Sequence, residues 1–136
     1  MTDKLKSLEA RVRFATRGID TLNGMLQSGS LSVILSLLEI QDYLKVSGNI
    51  AEIGVHQGKL FLLLCHWMNR GEIAHAIDIF GRPPGSDTKN IDKLIGNLEQ
   101  FGIPKEQYRV EISDSRQISC GALRNLFRGP NIRLFS

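Results

Sequence analysis

An acidic residue and two glycines stand together where an apolar segment gives way to a helical pattern. Glu52 lies near the end of the apolar run 49–55. Gly54 and Gly58 follow it, and apolar residues in helical spacing begin at Leu60. Glycine accepts the positive φ angles of a tight turn, and the first turn of a helix exposes unpaired N–H groups at its positive dipole end. The segment therefore predicts a strand, a glycine turn and a helix N-terminus that face a ligand.

Three kinds of cofactor-binding loop carry glycines at such a junction. A phosphate-binding loop requires four residues between its glycines and then Lys followed by Ser or Thr. Here only three residues separate the glycines, and Leu60 stands at the hydroxyl position. A dinucleotide loop has the pattern Gly-x-Gly-x-x-Gly, and His56 occupies its second glycine position. An S-adenosylmethionine loop has the pattern acidic-x-Gly-x-x-x-Gly, which Glu52, Gly54 and Gly58 satisfy. A strand-to-helix turn without a ligand is the other interpretation of these residues.

Two further acidic residues are expected at the ends of the next two strands. The apolar run 73–80 contains Asp78, which lies 20 residues after the second glycine. In mononucleotide-binding α/β units an acidic residue at about this distance binds the ribose hydroxyls. The run 108–112 predicts a third strand, and Asp114 and Ser115 follow it. Three acidic residues at successive strand ends favour a single site, although Asp114 with Ser115 is also a suitable helix cap.

These segments resemble the class I S-adenosylmethionine-dependent methyltransferases, and within them the macrocin O-methyltransferase-like group. The resemblance covers roughly residues 30–136. It rests on Ala-Glu-Ile-Gly-Val-His-Gln-Gly-Lys at 51–59, Ala-Ile-Asp-Ile-Phe at 76–80, Asp-Ser at 114–115 and Ile-Arg-Leu-Phe-Ser at 132–136. The glycine motif is shared by many methyltransferases, whereas the last segment points to the subgroup.

The resemblance implies a transfer of a methyl group from S-adenosylmethionine to a hydroxyl oxygen of a small molecule. Glu52 and Gly54 would hold the methionine part of the cofactor, and Asp78 would bind its ribose. Asp114 and Ser115 would face the adenine. The expected cofactor-binding residues are Glu52, Gly54, His56, Gly58, Asp78, Asp114 and Ser115.

Members of the resembled family continue beyond the fourth strand, whereas this sequence stops at Ser136. Their continuation includes an aspartate-containing segment that helps bind a divalent metal ion and the substrate. We therefore expect the cofactor-binding portion of a methyltransferase, truncated after its fourth strand, with the metal ligands absent from this chain. No residue is identified as the catalytic base. The alternatives are a degenerate, non-catalytic module that binds S-adenosylmethionine and an NAD-type nucleotide-binding protein, which His56 disfavours.

The alternation of strands and helices predicts an α/β fold, a Rossmann-like parallel sheet with helices on both faces. The resemblance implies the strand order 3-2-1-4. Crossover helices are expected at 59–70, 90–102 and 117–127, and strands at 49–55, 73–80, 108–112 and 131–136. Residues 1–46 are predicted to form an N-terminal helical extension, and residues 47–136 the half-domain that binds the cofactor.

The N-terminal extension has its own apolar pattern. Apolar residues alternate at spacings of three and four, at Leu5, Leu8, Val12, Ala15, Ile19, Leu22 and Leu26. This spacing predicts one long helix with a single apolar stripe, which packs on its own domain or serves as a dimer helix or a lid. A second helix is expected over residues 31–45, with a glycine stop at Gly48.

The amino acid composition and the charge pattern limit the classes of partner that we expect. Hydrophobic residues make up 42% and charged residues 23% of the 136, as in an ordinary globular domain. The net charge is +3, but the basic residues are scattered and form no basic and aromatic stripe, so we expect no nucleic acid partner. The most apolar run, residues 60–65, is too short to span a bilayer, and the N-terminus lacks a signal-peptide pattern. We expect no membrane partner.

Several single residues complete these expectations. Cys65 and Cys120 are far apart in the sequence and are expected to be reduced thiols of a cytoplasmic protein. His66 is expected to be a core or helix-surface histidine. Arg82, in the expected loop 81–87, is a candidate contact for a substrate anion. A fourth strand at the sheet edge would leave backbone groups unpaired, so we expect a homo-oligomer in addition to the small-molecule methyl acceptor.

Overall fold

The computed structural model describes residues 3–80, 89–126 and 132–135. Within these ranges, four parallel strands form one sheet: β1 (Asn49–Ile53), β2 (Ala74–Asp78), β3 (Tyr108–Ile112) and β4 (Ile132–Phe135). Their order in the sheet is β3-β2-β1-β4. The predicted Rossmann-like α/β fold and its strand order are confirmed. The expected loop 81–87, with Arg82, lies outside the described residues.

In the described part of the chain, five α-helices flank the sheet. They are α1 (Leu8–Thr16), α2 (Ser28–Tyr43), α3 (Lys59–His66), α4 (Lys89–Gln100) and α5 (Cys120–Leu126). Because β1, β2 and β3 follow one another in one direction across the sheet, right-handed crossovers place α3 and α4 on the same face. The connection from β3 to β4 runs in the other direction, so the same rule places α5 on the opposite face. Short 3₁₀ turns span Gly18–Thr21, Lys105–Gln107 and Ser115–Gln117.

The core is centred on α3. Every residue of this helix from Phe61 to His66 is buried, since α3 is covered by the sheet, by α1 and by α4. In the sheet, Ile50 and Ala51 of β1 and Ala74 and Ala76 of β2 are fully buried. Small and branched apolar residues suit parallel strands that are covered by helices. The buried strands therefore fix the positions of the side chains at their two ends.

The prediction of a single long N-terminal helix is wrong. Helix α1 ends at Thr16, and a 3₁₀ turn follows. Leu8 and Val12, two members of the predicted stripe, are exposed. The chain bends at Gly18, where an added Cβ would lie 2.9 Å from the ring of Phe14. The bend lets the N-terminal segment approach the end of α4.

The N-terminal segment nevertheless packs on its own chain. Phe14, Ile19, Leu22 and Leu38 belong to the same buried cluster as the residues of α3. Packing on the same chain, one of the alternatives for the extension, is therefore observed. The division of the chain between residues 46 and 47 stays a prediction.

The end of α2 also differs from the expectation. The helix ends at Tyr43, and Lys45 rather than Gly48 adopts the left-handed conformation that stops it, with a φ of 56°. The N–H of Lys45 donates to the carbonyl of Asp42, and the N–H of Val46 donates to the carbonyl of Gln41. These two bonds form the Schellman motif. A lysine takes the position that glycine usually occupies, so composition alone did not locate this helix end.

Candidate functional site

The turn between β1 and α3 has the unusual backbone that the glycine motif predicts. Gly54, His56 and Gly58 have φ angles of 81°, 55° and 92°. Positive φ is uncommon for residues other than glycine, although histidine adopts it more often than most. The N–H of Gly58 donates to the carbonyl of Val55 at 2.9 Å and closes the turn just before α3 begins.

The two glycines of the motif have different roles. An added Cβ at Gly54 would meet no atom within 4 Å, so only its positive φ requires glycine. An added Cβ at Gly58 would lie 2.4 Å from a methyl carbon of Leu94. Gly58 therefore allows α3 and α4 to pack closely, whereas Gly54 leaves open space next to the end of β1.

Asp78, at the end of β2, holds two loops in place. Its Oδ2 accepts a hydrogen bond from the backbone N–H of His56 at 2.7 Å, and its Oδ1 accepts one from the N–H of Phe80 at 2.9 Å. Phe80, like His56, has a positive φ, of 46°. The carboxylate thus stabilises both unusual backbone conformations. Each of its oxygens retains further acceptor capacity, because a carboxylate has about four acceptor positions.

Glu52 is the least compensated charged side chain near the turn. Only 5% of the residue is exposed, and its buried Oε2 has no hydrogen-bond partner among the described residues. Burial, with a smaller contribution from the nearby charge of Asp78, raises the pKa of Glu52 to about 8. A buried polar atom without a partner is costly in a folded protein and requires an explanation. A cationic ligand would supply the missing partner.

A cleft of about 520 Å³ lies beside Glu52. Glu52, Gly54 and His56, all predicted site residues, line it together with Val55, Lys59, Leu60 and the segment 23–26. The ammonium group of Lys59 has no ion pair or hydrogen bond within the described part of the chain. The cleft therefore combines one unpaired carboxyl group with one unpaired ammonium group.

Lys59 and the segment 23–26 were not predicted as site residues. A signal for Lys59 existed, because a cation in the first turn of a helix opposes the helix dipole. The segment 23–26 has no such local signal. It reaches the cleft only because the N-terminal segment folds back, and an added Cβ at Gly24 would lie 3.1 Å from the Cβ of Lys59.

Asp114 and Ser115 lie at the end of β3 and do not line the cleft. The end of β3 is next to the end of β2, since the N–H of Ser113 donates to the carbonyl of Asp78. The carboxylate of Asp114 accepts hydrogen bonds from the backbone and the guanidinium of Arg116, which lower its pKa. Asp114 thus caps the 3₁₀ turn that follows, as one of the two interpretations predicted.

The remaining candidate residues are placed as follows. His66 is buried in the core, as expected, and stacks on Phe14. Cys65 is buried and Cys120 is exposed, and both are free thiols. Among the described residues, no three His, Cys, Asp or Glu side chains come together as metal ligands would.

The fold and the cleft define a Rossmann-like α/β protein with a candidate binding site at the carboxyl edge of its sheet. No model of a known protein family matches the chain, and no curated protein matches it. In the described ranges, no helix has both the length and the apolar character needed to cross a bilayer.

Proposed function

We propose that the cleft beside β1 binds S-adenosylmethionine. The observation that carries this proposal is the unpaired, buried carboxylate of Glu52 in a cleft next to a glycine turn. Amino acid ammonium groups are cations with several N–H donors, so such a group would satisfy the free oxygen of Glu52 and compensate its charge. The donor set of the cleft therefore fits the methionine part of this cofactor.

The cleft fits both charges of an amino acid. Lys59 supplies a cation for the carboxylate, and the N-terminus of α3 adds a positive dipole end. Glu52 supplies the anion for the ammonium group. A dinucleotide would instead place a pyrophosphate near the start of this helix, and a pyrophosphate has no N–H donor for the free oxygen of Glu52. This arrangement favours S-adenosylmethionine over the NAD-type alternative.

Asp78 is our candidate for the ribose. It lies one strand away from Glu52, since β2 is next to β1 in the sheet. Its bonds to His56 and Phe80 leave acceptor positions for hydroxyl groups. Asp114 and Ser115 stay proposed contacts for the adenine, at the end of the next strand.

We further propose that the chain is the cofactor-binding portion of a methyltransferase that acts on the hydroxyl group of a small molecule. The bound cofactor would supply a methyl group on a positively charged sulfur. The role of this chain is then to fix the cofactor, with Glu52 and Lys59 holding one end and Asp78 the ribose. No residue is assigned as a base, and the divalent metal of the resembled family stays an expectation. A non-catalytic binding module is the alternative, and it uses the same cleft.

Calorimetric titration with S-adenosylhomocysteine tests the binding proposal. We expect saturable binding by the wild-type chain, and a loss of affinity of at least about tenfold in Glu52→Gln, because a charge-assisted hydrogen bond is lost. Glu99→Gln, an exposed position on α4, is the matched control and should bind as the wild type does. Binding of NAD in preference to S-adenosylhomocysteine by the folded chain would contradict the assignment.

A second copy of this chain is a proposed partner, and the cytoplasm is the proposed compartment. Val33, Leu37 and Ile40 are exposed along α2 at helical spacing, and the exposed Leu44 follows its last residue. Exposed apolar surface of this kind is often an interface. The free thiols of Cys65 and Cys120 suit a reducing compartment. Light scattering at moderate concentration tests the association, and a clean monomer would count against it.

A further inference from the structure

A second cavity, of about 560 Å³, lies at the ends of α3 and α4 that are remote from the glycine turn. We call it the aromatic cavity, because Phe14, His66 and Phe101 line it. Phe14 stacks on His66 with ring centres 3.9 Å apart, and it meets Phe101 edge to face at 4.9 Å. Phe14 is 2% and His66 3% exposed, so the half-buried Phe101 offers most of the aromatic surface to a ligand.

His66 presents an unused hydrogen-bond acceptor in this cavity. Its Nδ1 lies 2.6 Å from the carbonyl oxygen of Leu62. A carbonyl oxygen only accepts, so Nδ1 carries the proton of the bond. Burial lowers the pKa of His66 to about 4, and the ring is therefore neutral at neutral pH. Nε2 is then a bare acceptor, and it has no hydrogen-bond partner within the described ranges.

The charged residues among the described lining of the cavity are all basic. Lys6, Arg13 and Arg17 line it, and no aspartate or glutamate is among its described lining residues. The ammonium group of Lys6 donates to the carbonyls of Phe101 and Gly102, at 2.8 and 2.7 Å.

The two arginines differ in their partners. Arg13 forms an exposed ion pair with Glu9, one turn earlier in α1. Arg17 is exposed and has no ion pair or side-chain hydrogen bond in the described part of the chain. A positive potential at the mouth of an aromatic cavity favours a ligand that is both flat and anionic.

We propose that the aromatic cavity is a second binding site, for a small aromatic carboxylate that also carries a hydroxyl group. The carboxylate lies at Arg17, whose planar guanidinium can bind both of its oxygens. The hydroxyl group donates its hydrogen to Nε2 of His66. The aromatic ring of the ligand lies against Phe101. A phosphate ion would not use the aromatic surface of the cavity or the acceptor of His66. We therefore expect it to bind more weakly than the aromatic carboxylate.

The probe for this site is 4-hydroxybenzoate, titrated into the full chain and followed by calorimetry. We expect saturable binding. With 4-hydroxybenzamide, which lacks the charge, we expect affinity to fall by about tenfold or more, since a charged hydrogen-bonded pair is lost. With 4-methoxybenzoate, which keeps the charge but has no O–H donor, we expect a fall of several-fold, since one neutral hydrogen bond is lost.

Two variants and one control locate the site. In Arg17→Met, the affinity for 4-hydroxybenzoate should fall to that of the wild type for the amide. Arg17 is exposed and unpaired, so its replacement should leave the fold intact. His66→Phe keeps a stacked ring but removes the acceptor, so it should bind the hydroxy and methoxy acids equally. Arg70→Met, an exposed arginine outside the cavity, is the control and should bind normally.

Three results would overturn the proposal. They are the absence of saturable binding to the folded wild-type chain, equal affinity for the acid and the amide, and equal losses in Arg17→Met and Arg70→Met. The site is independent of the cofactor cleft, so none of these results bears on the binding of S-adenosylhomocysteine.

Discussion

Two glutamates are buried to the same extent at opposite edges of the sheet, and their surroundings are opposite in kind. Glu52 and Glu72 are each 5% exposed. Glu52 lies near the carboxyl end of β1, and Glu72 lies just before β2, at the amino edge. The oxygens of Glu72 are surrounded by donors, whereas Oε2 of Glu52 has none among the described residues. The same residue type at the same burial therefore serves structure at one edge and remains available to a ligand at the other.

The surroundings of Glu72 form a closed network. Its Oε1 accepts from the backbone N–H of Gly48 and from the amide of Asn69, and its Oε2 accepts from the N–H of Asn69 and from Arg133. The side chain of Arg133 is 1% exposed and also donates to Gln41. The network joins the starts of β1 and β2 to β4. A buried charge with this many partners is consistent with a structural role.

The comparison shows which observation identifies a binding group. Burial by itself does not, since both glutamates are buried. The distinguishing feature is the missing partner, because an uncompensated buried carboxylate lowers stability unless something binds to it. The following predictions test the difference between the two glutamates, in order of decreasing expected effect.

Glu72→Ala should destabilise the fold most. The change leaves Arg133 buried without its anion and removes an acceptor from three N–H donors, so we expect a loss of about 3–5 kcal/mol in the free energy of unfolding. Urea denaturation at pH 7, followed by circular dichroism, measures it. A loss below about 1 kcal/mol, typical of exposed ion pairs, would mean that the network is not structural.

Glu52→Gln should stabilise the fold at alkaline pH. The pKa of Glu52 is raised from 4.5 to about 8 in the folded chain, so the folded state binds more protons than the unfolded state between these values. The free energy of unfolding contributed by this group therefore falls as pH rises from 4.5 to 8, by up to about 1.4 kcal/mol per pH unit.

Glutamine has no proton to lose at this position, so the fall of the unfolding free energy with rising pH should be absent from Glu52→Gln. Urea denaturation of both chains at pH 6 and pH 8 gives the comparison, with the exposed Glu99→Gln variant as control. Identical pH slopes in the wild type and in Glu52→Gln would show that the carboxylate is already compensated.

The effect of Asp78→Asn on stability is expected to lie between the effects of the changes at Glu72 and Glu52. Asp78 has protein partners, as Glu72 does, but it is also the proposed ribose contact, on the strand next to that of Glu52. An asparagine oxygen can accept only one of the two bonds from His56 and Phe80, so we expect a loss of about 1–3 kcal/mol in unfolding free energy. Affinity for S-adenosylhomocysteine should fall as well. An unchanged stability would show that the two loop bonds carry little energy.

Lys59→Met should have the smallest effect, on binding alone. The exchange keeps an unbranched apolar chain but removes the ammonium group, so the affinity for S-adenosylhomocysteine should fall by about three- to tenfold. Methylthioadenosine has the same nucleoside without the amino acid group, and its affinity should not change. Equal losses for both compounds would place Lys59 against the nucleoside and contradict its assigned role.

The strands were predictable because their signals are local, whereas their order was predicted from the family resemblance. The β3 bounds match the predicted run 108–112, since apolar residues and the preceding Pro104 define the strand. The extent of α1 was not predictable, because the chain bends at Gly18, where an added Cβ would lie 3.0 Å from the ring of Phe101. These two residues are far apart in the sequence.

The site was predictable in part for the same reason. The motif located Glu52 and the positive-φ turn, because strand ends and glycines are visible in the sequence. The motif did not show that Gly58 serves helix packing or that Asp114 is bound by Arg116. It also could not show that Oε2 of Glu52 lacks a partner, since this depends on every residue that packs around it.

The most direct test of the central claim is the number of protons released when S-adenosylhomocysteine binds at pH 7. The pKa of Glu52 is raised to about 8, so this carboxyl is mostly protonated before binding and must ionise to pair with an ammonium group. Calorimetry in two buffers with different ionisation enthalpies measures the release. We predict close to one proton for the wild-type chain and none for Glu52→Gln. Binding without proton release by the wild type would contradict the assignment of Glu52 as the carboxylate that binds the ligand.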